Sequence, residues 1–320
     1  MVELRRVAPG DEQGIAAYVA IRNAVTPDDP DSLEQVAWQQ ANYPASGARF
    51  LARIDGRPVA TAVTGRIWMH EADYERYWLG IWVLPDARNE GIGSALLEAA
   101  SEVARDAGKR GFQTELSEAH ESGHRFLARR GFVETERTKL VRLELKGRRA
   151  DAPAPPEGIR IVTLADRPDL VASVHRVAIE TFEDIPTADE PISVGTLAEF
   201  RARDVDRAGI PPDGFFVAVD EASGEAAGYA SLLLVPGSPT EALNDMTAVR
   251  RAFRGRGVAQ ALKRATIEWA IDHGLDAIIT GNDQANAPMR AINLRLGYLP
   301  LPDLVGLQGP LAVGGGILRP

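Results

Sequence analysis

The two halves of this sequence contain the same segment at a fixed distance. Arg88–Gly93 and Arg254–Ala259 each combine arginine with closely spaced glycine, and each precedes an apolar helical pattern. The second segment follows the first by 166 positions, and the same offset relates Gly108 to Gly274. Such a repeat restricts the fold strongly, because it indicates two copies of one structural unit in a single chain.

The length and a local change in composition place the boundary between the two copies. The 320 residues are enough for about two domains. Residues 147–157 are rich in proline and alanine and have no apolar period, which is typical of an extended linker. We therefore predict an N-terminal domain over residues 1–146 and a C-terminal domain over residues 158–320.

The sequence patterns follow the same order in both halves. Each half begins with a strand, two helical stretches and a hairpin. A strand then leads into the repeated segment, and it is followed by a helix, a strand, a short helix and a terminal strand pair. Asp55-Gly56 and Ser223-Gly224 lie between alternating runs and predict the hairpin turns. The first two helical stretches are predicted at about 12–23 and 31–41, and at about 167–183 and 193–204. The predicted class is α+β, with two tandem units that each have a mixed, mostly antiparallel sheet flanked by helices.

Composition excludes several classes of function. The net charge of −9 argues against non-specific nucleic-acid binding, which needs a basic surface. The same charge is compatible with a cationic or amine ligand, or it serves solubility alone. No apolar run approaches the ~18 residues of a membrane span, and the N-terminus has no signal-peptide core. Because the chain also has no cysteine, we expect a cytoplasmic protein that binds no membrane and has neither a disulfide nor a cysteine nucleophile.

The repeated segment has the chemistry of an anion-binding turn. A helix N-terminus has unpaired N–H groups and a partial positive charge, and glycine lets a ligand approach the backbone closely. The segment lacks the Gly-Lys-Ser/Thr end of a P-loop and the third glycine of a dinucleotide fingerprint. Two interpretations are left, a phosphate site of another kind or glycines that serve only tight packing between strand and helix.

The repeated segment and its setting resemble the GNAT superfamily of N-acetyltransferases, in the tandem arrangement of the mycothiol synthase-like members. The resemblance covers both halves and is strongest over residues 78–132 and 243–298. It implies that each turn binds the pyrophosphate of acetyl-CoA and that the preceding strand pairs with the pantetheine arm. The implied acetyl-CoA contacts are Val83, Arg88, Gly91, Ile92, Gly93 and Ser94 in the first half, and Ala248, Val249, Arg254, Gly255, Arg256, Gly257, Val258, Ala259 and Asn286 in the second.

The two turns differ in charge. Glu90 occupies the position that Arg256 occupies in the second half, and a carboxylate repels pyrophosphate whereas a guanidinium attracts it. Arg250 and Arg251 add positive charge to the second turn only. We therefore predict that the C-terminal half is the main acetyl-CoA site. The N-terminal half is then a weaker site, a silent binder or a scaffold for the acceptor cleft.

The resemblance implies that the splayed strands beside the acetyl group carry out the chemistry, and that a backbone N–H freed there stabilises the oxyanion. Asp245 is the predicted general base, acting directly or through water, and Thr247 shares its strand face. The alternative interpretation makes Asp245 a solvated strand residue. In the N-terminal half the corresponding residues are Glu75, Tyr77, Glu115 and Ser117.

The sequence departs from the family pattern at the general acid. Many family members have a tyrosine four residues before the glycine of the final helix–strand junction, where this sequence has Leu127 and Asn293. Neither residue protonates a thiolate, although a thiol with a pKa near ~8.5 leaves adequately unaided. Asn293 is predicted to hydrogen-bond the thioester region or the pantetheine. Asn286 is either a pantetheine contact or the N-cap of its helix.

A second motif is misleading. His120–His124 matches the H-E-x-x-H pattern of zinc sites, but the sequence offers no evident third ligand and the second half has Asn286 and Arg290 at the two histidine positions. Because the repeat does not preserve the histidines, we expect no metal.

Two functional hypotheses remain open. The first is an acetyl-CoA-dependent N-acetyltransferase that acts on a small-molecule amine by direct attack of the amine on the thioester. The second is a catalytically degenerate module that binds CoA as a sensor or partner-binding unit. Two family units in one chain already supply the pairing that single-domain members obtain by dimerising, so we expect a monomer, with a homodimer as the alternative.

Overall fold

The computed structural model describes most of the chain, namely residues 2–42, 47–149, 154–185, 192–235 and 237–313. Residues 150–153 of the predicted linker lie outside this description. Two compact units are present, one formed by Met1–Arg137 with Leu304–Pro320 and one formed by Thr138–Asp303. They are called the first and the second unit below.

The first unit contains six neighbouring strands in the order β1-β2-β3-β4-β5-β13. Every pair is antiparallel except β4 with β5. The strands are β1 (Val2–Val7), β2 (Ala48–Ile54), β3 (Arg57–Arg66), β4 (Arg76–Val83), β5 (Gly111–Ser117) and β13 (Leu304–Pro310). The helices are α1 (Glu12–Val25), α2 (Leu33–Asn42), α3 (Ile92–Asp106) and α4 (Glu121–Ala128).

The apolar period of the sequence explains where the helices of the first unit pack. The buried residues of α3 recur at helical spacing, and Ile92 and Leu96 join a cluster with the inward residues of β2 and β3. Tyr18 of α1 packs in a different cluster, with Val7, Val36 and Leu51. The first unit is therefore an α+β layer structure, as the sequence predicts.

The second unit repeats this arrangement in the strand order β6-β11-β10-β9-β8-β7, with β12 beside β6. Only β10 and β11 are parallel. The strands are β6 (Val133–Glu144), β7 (Ile159–Thr163), β8 (Phe215–Asp220), β9 (Ala226–Leu234), β10 (Glu241–Val249), β11 (Ala277–Asp283) and β12 (Leu299–Pro300). The helices are α5 (Val171–Phe182), α6 (Leu197–Phe200), α7 (Val258–Asp272) and α8 (Ala287–Leu296).

One predicted helix is irregular. The stretch expected at about 193–204 forms only the single turn of α6, and the chain then continues as a π-helical turn over Arg201–Val205. Thr196 explains why α6 begins where it does, because Thr196 and Glu199 form a capping box. Among the described residues, no helix combines the length and apolar character that crossing a membrane requires.

The last strand of each sequence half lies in the sheet that is formed mainly by the other half. β13 pairs with β5, and β6 pairs with β11. Burial accounts for this exchange, because Val305 and Leu307 enter the core of the first unit and Leu143 enters that of the second. The compact units therefore do not follow the sequence halves, and the domain boundaries at 146 and 158 stay a prediction about the repeat.

The core of the second unit offers a direct test of this packing. Leu262 of α7 is fully buried in the cluster that joins α7 to β8 and β9, whereas Leu294 of α8 is 74% exposed. We expect Leu262→Ala to lower the free energy of unfolding by about 2–5 kcal/mol. The same change at Leu294 should stay within about 0.5 kcal/mol. Urea unfolding followed by circular dichroism measures both, and equal losses would contradict the assigned core.

Candidate active site

Among the described strands, each unit has one parallel pair, and its two strands separate after a short contact. β4 and β5 pair as far as Trp78 with Gln113, and β10 and β11 pair as far as Leu243 with Ile279. All four strands then continue for several residues without pairing to each other. Each sheet therefore opens into a cleft at the C-terminal ends of its two parallel strands, where ligands commonly bind in such sheets.

Each cleft ends at a turn that leads into a helix. Gly91 precedes α3 with a φ of 81°, and Gly257 precedes α7 with a φ of 87°. Both are N-caps in the left-handed region, and neither helix start has a side-chain cap. Ile92 and Val258, the first helical residues, bury their side chains. The backbone N–H groups of both helix starts are thus presented as an anion-binding turn needs them.

The repeated arginine stabilises the turn itself. Arg88 donates from Nε to the carbonyl of Val83 over 3.1 Å, and Arg254 donates to the carbonyl of Val249 over 3.0 Å. The same bond therefore closes both turns and fixes the end of the strand against the start of the helix. This structural role was not predicted from the sequence, where both arginines were assigned only to the pyrophosphate.

Acidic residues at the end of α5 pair with the arginines of the second turn. Arg250 contacts Glu180, and Asp184 accepts from both Arg251 and Arg254. These hydrogen bonds lower the pKa of Asp184 to about 2. Arg256 donates to the carbonyl of Glu157 over 3.2 Å. The excess of positive charge predicted for this turn is therefore largely balanced. The sequence does not show that α5 ends beside the turn, so this balance was not predicted.

Side chains from the end of α4 and just beyond it contact the first turn of α3 in the first unit. The Arg130 guanidinium donates to Ser94 Oγ over 2.6 Å and stacks on Phe126. The Phe126 ring lies against Gly93, with its edge 3.0 Å from where a Cβ of residue 93 would be. At the 166-residue offset Leu296 replaces Arg130, so this polar cover is specific to the first unit. The two helix starts therefore differ in their side-chain contacts, and the assignment of the main acetyl-CoA site to the second unit stays a prediction.

The two clefts also differ in their strands. β10 skips one residue of register against β9 between Asn244 and Met246, which leaves Asp245 as the extra residue of a β-bulge. β4 keeps a continuous register against β3 from Tyr77 to Val83. A bulge takes its extra residue out of the ladder and turns the backbone. The second cleft therefore contains displaced backbone groups at a place where the first cleft has a regular strand.

Asp245 has an unusual environment for a residue that is open to solvent. Asp245 is exposed, yet desolvation by the surrounding protein raises the pKa of its carboxyl. Arg207 opposes the rise, Asp204 adds to it, and Arg203 also opposes it. An accessible carboxylate with a raised pKa is suited to accept a proton.

Three other predicted residues lie near this cleft in different roles. Thr247 Oγ1 contacts Asn244 Oδ1 at 3.4 Å. Asn293 is 2% exposed and donates to Asn282 Oδ1 over 2.6 Å, while its own Oδ1 has no hydrogen-bond partner among the described residues. Asn286 is the N-cap of α8, which confirms that alternative. A contact of Asn286 with pantetheine stays a prediction.

In the first unit, Glu115 stands out among the acidic candidates. It lies on β5 beyond the last pairing with β4, and desolvation with the nearby Glu136 and Asp29 carboxylates raises its pKa to about 7. Glu75 pairs with Arg76, and Tyr77 is buried in the core.

The raised pKa of Glu115 predicts a pH-dependent stability. A carboxyl that binds its proton more tightly when folded contributes less stability as the pH rises from its ordinary value of 4.5 through about 7. We therefore expect Glu115→Gln to raise the melting temperature at about pH 8 and to change it little at about pH 4.5. Glu102→Gln, on the exposed side of α3, is the control and should show no such difference. An equal shift at both pH values would contradict the assignment.

The two histidines of the H-E-x-x-H motif have separate places in the fold. His120 is the N-cap residue of α4, and His124 Nε2 contacts the Ser117 carbonyl at 3.0 Å. Within the part of the chain that is described, no three His, Cys, Asp or Glu side chains are grouped so as to hold a metal ion.

Comparison with known proteins identifies the class. The Acetyltransferase (GNAT) family model matches residues 17–132 and again residues 178–298. The chain therefore belongs to this family, as the repeated turns indicate, and it is an N-acetyltransferase with two family segments in tandem. The resemblance and the α+β class predicted from the sequence are both confirmed.

Particular relatives are similar to different extents of the chain. An aminoglycoside N(6')-acetyltransferase type 1 from Stenotrophomonas maltophilia is 32% identical over 152 residues, which is 45% of this chain and 94% of the relative. A tandem GNAT protein from the clavulanic acid biosynthesis pathway has a TM-score of 0.78 at 21% identity, with 98% of this chain and 100% of that one covered. A GCN5-related N-acetyltransferase from Sphaerobacter thermophilus has a TM-score of 0.72 at 20% identity, with 99% and 98% covered. These two structures support the fold alone.

Proposed function

We propose that this protein transfers the acetyl group of acetyl-CoA to an amino group of a small cationic molecule, and that the second unit carries out the reaction. The observation that carries this assignment is the bulge at Asp245, which lies in the cleft that leads to the uncapped start of α7 at Gly257. The first unit has the same turn, but its strand β4 is regular and Arg130 donates to Ser94 in the first turn of its helix. Its proposed role is a weaker CoA site or a scaffold.

The second cleft fits acetyl-CoA chemically. The N–H groups from Gly255 to Ala259 are proposed to hold the pyrophosphate, since the left-handed Gly255 and Gly257 turn the backbone around an anion. The N–H of Arg254 already donates to the carbonyl of Arg251. Thr247–Val249 is proposed to pair with the pantetheine arm. The unpartnered, buried Asn293 Oδ1 is the kind of acceptor that an amide of the pantetheine would satisfy.

The chemistry then divides among few groups of the chain. Acetyl-CoA supplies an acetyl thioester when bound. Asp245 is proposed to take the proton of the acceptor ammonium, directly or through water, because only the neutral amine is a nucleophile. Backbone N–H groups displaced by the bulge stabilise the negative charge that develops on the carbonyl oxygen. As the carbon–nitrogen bond forms and the carbon–sulfur bond breaks, the attacking nitrogen loses its second proton to solvent. No residue of the chain is assigned to the leaving thiolate, which takes a proton from solvent.

The acceptor class is supported by charge and by one relative. The Asp204 carboxylate raises the pKa of Asp245, and the chain as a whole has a net charge of −9. The relative that is 32% identical is named as an aminoglycoside N(6')-acetyltransferase. Aminoglycosides are polycationic, so the Asp245 carboxylate and the overall negative charge of the protein both attract them. We propose an amino sugar of this kind as the acceptor.

A paired acceptor assay tests the proposal. Calorimetry with acetyl-CoA measures binding, and thiol release is then followed with two aminoglycosides that differ at the 6' position, one with an amino group and one with a hydroxyl group. We expect thiol release with the amine only. Binding of acetyl-CoA without release for any amine of a wider panel would favour the alternative of a CoA-binding sensor. Absence of binding would exclude both functions.

A further inference from the structure

The side chain of Asn244 occupies the place where β10 loses its register. Asn244 is 4% exposed, and its Nδ2 donates to the carbonyl of Ser231 over 3.0 Å and to that of Met246 over 3.2 Å. Ser231 faces Met246 across the ladder. The amide thus bonds carbonyl groups on both sides of the irregularity. Since buried carbonyl groups without partners are costly, this side chain makes the bulge a favourable conformation.

Lys263 of α7 holds that amide in place. The lysine is 1% exposed, and its Nζ donates to Asn244 Oδ1 over 2.5 Å. Thr280 of β11 donates to the carbonyl of Asn244 over 3.1 Å. Because Lys263 requires an oxygen opposite it, the Asn244 amide group can point its Nδ2 only toward the two carbonyls. Asn244 is therefore bonded from α7, from β11 and from its own strand.

A buried lysine of this kind is costly. Burial lowers the pKa of Lys263 to about 7, and among the described residues the lysine forms no ion pair. Its Nζ also lies 5.4 Å from the centre of the Tyr298 ring. An apolar residue at this position would cost less free energy in the core. The lysine must therefore provide something other than packing.

The first unit shows what the same position does without that lysine. Leu97 lies at the 166-residue offset from Lys263. Leu79 is the counterpart of Asn244, because each directly follows the last residue that pairs with the parallel strand. Leu97 and Leu79 pack in one apolar cluster. β4 runs past Leu79 with a continuous register. Within one chain, an apolar pair therefore accompanies a regular strand, and the lysine–asparagine pair accompanies a bulged strand.

We infer that Lys263 and Asn244 are positioning residues for acetyl transfer, which hold the bulge of β10 so that Asp245 and the displaced backbone N–H groups face the acyl group. This inference rests on the proposed function. According to this inference, the second cleft differs from the first because of the polar pair beneath the strand. No group that touches the substrate is needed to explain the difference. The pair acts through the backbone and needs no proton transfer.

The first unit supplies the matched variant. The double change Asn244→Leu with Lys263→Leu reproduces an apolar pair like that of the first unit, and each single change leaves one buried polar partner unsatisfied. We expect each single variant to melt at a lower temperature and the double variant to regain most of the loss. The double variant should nevertheless lose kcat by about 100-fold or more. Its Kd for acetyl-CoA should stay within about 3-fold of wild type, because the turn at Gly257 is unchanged.

Separate outcomes distinguish this inference from the proposed function. A stable double variant with wild-type kcat, or a crystal structure of it in which the bulge persists, would overturn the inference. Lys263→Met, which keeps the length of the side chain, serves if the double variant does not fold, and wild-type kcat in that variant would equally overturn it. If the wild-type protein binds acetyl-CoA but acetylates no amine, the proposed function fails instead. In that case a crystal structure of the double variant still shows whether the Lys263–Asn244 pair holds the bulge.

Discussion

Replacing Gly257 by aspartate is expected to weaken acetyl-CoA binding to the second unit by at least about 100-fold. The new carboxylate would lie at the helix start where the pyrophosphate is proposed to bind, and two like charges about 4 Å apart repel by several kcal/mol in a partly desolvated site. The substitution also removes the glycine whose φ of 87° lets the backbone approach a ligand. Calorimetry with acetyl-CoA measures the loss directly.

The same helix provides the control for backbone strain. Gly274 follows the C-terminal end of α7 with a φ of 71°, and a side chain at either glycine meets little or nothing. Gly274→Asp therefore imposes a comparable strain far along the helix and should leave acetyl-CoA binding unchanged. Gly91→Asp reports on the first unit, where we expect a minor effect because Arg130 and Phe126 already contact Ser94 and Gly93 beside the helix start. If Gly91→Asp weakened acetyl-CoA binding more than Gly257→Asp did, the site would be assigned to the first unit.

The sequence predicts those parts of the molecule that local chemistry determines. Glycine in the left-handed region at positions 91 and 257 is required by a tight turn into a helix, so the pattern alone locates both helix starts. The hairpin at Asp55-Gly56 follows in the same way, from residues that tolerate positive φ. Family membership follows as well, because the repeated turn is a local feature that occurs twice.

Features that depend on contacts between distant segments could not be predicted. The acids that balance the second turn are some seventy positions earlier, and nothing local to Arg251 or Arg254 reveals Asp184. The sequence also does not predict that β6 and β13 each pair with a strand of the other half, since both have the pattern of ordinary strands. One signal was available for the bulge. Lysine at position 263 interrupts the apolar face that Leu97 keeps in the first half, and such a mismatch between repeats marks a site of divergence.

The identity of the base is the remaining question of mechanism, and Asp245→Asn is expected to answer it. We expect kcat/KM to fall by about 10²- to 10⁴-fold, because a positioned base commonly contributes that much. The wild-type rate should rise with pH through a pKa above the ordinary 3.8 of an aspartate, since desolvation raises the pKa of Asp245 and only the carboxylate accepts a proton.

Two controls make that result specific to catalysis. A carboxyl whose pKa is raised in the folded protein contributes less stability as the pH rises, so Asp245→Asn should be at least as stable as wild type at about pH 8. A loss of rate therefore cannot come from unfolding. Asp169→Asn, which removes an exposed partner of Arg167, should leave kcat/KM and its pH profile unchanged. If Asp245→Asn retains both the rate and the ascending limb, Asp245 is a solvated strand residue. An ascending limb near pH 7 that disappears in Glu115→Gln would instead assign the base to the first unit, whose Glu115 has a pKa of about 7.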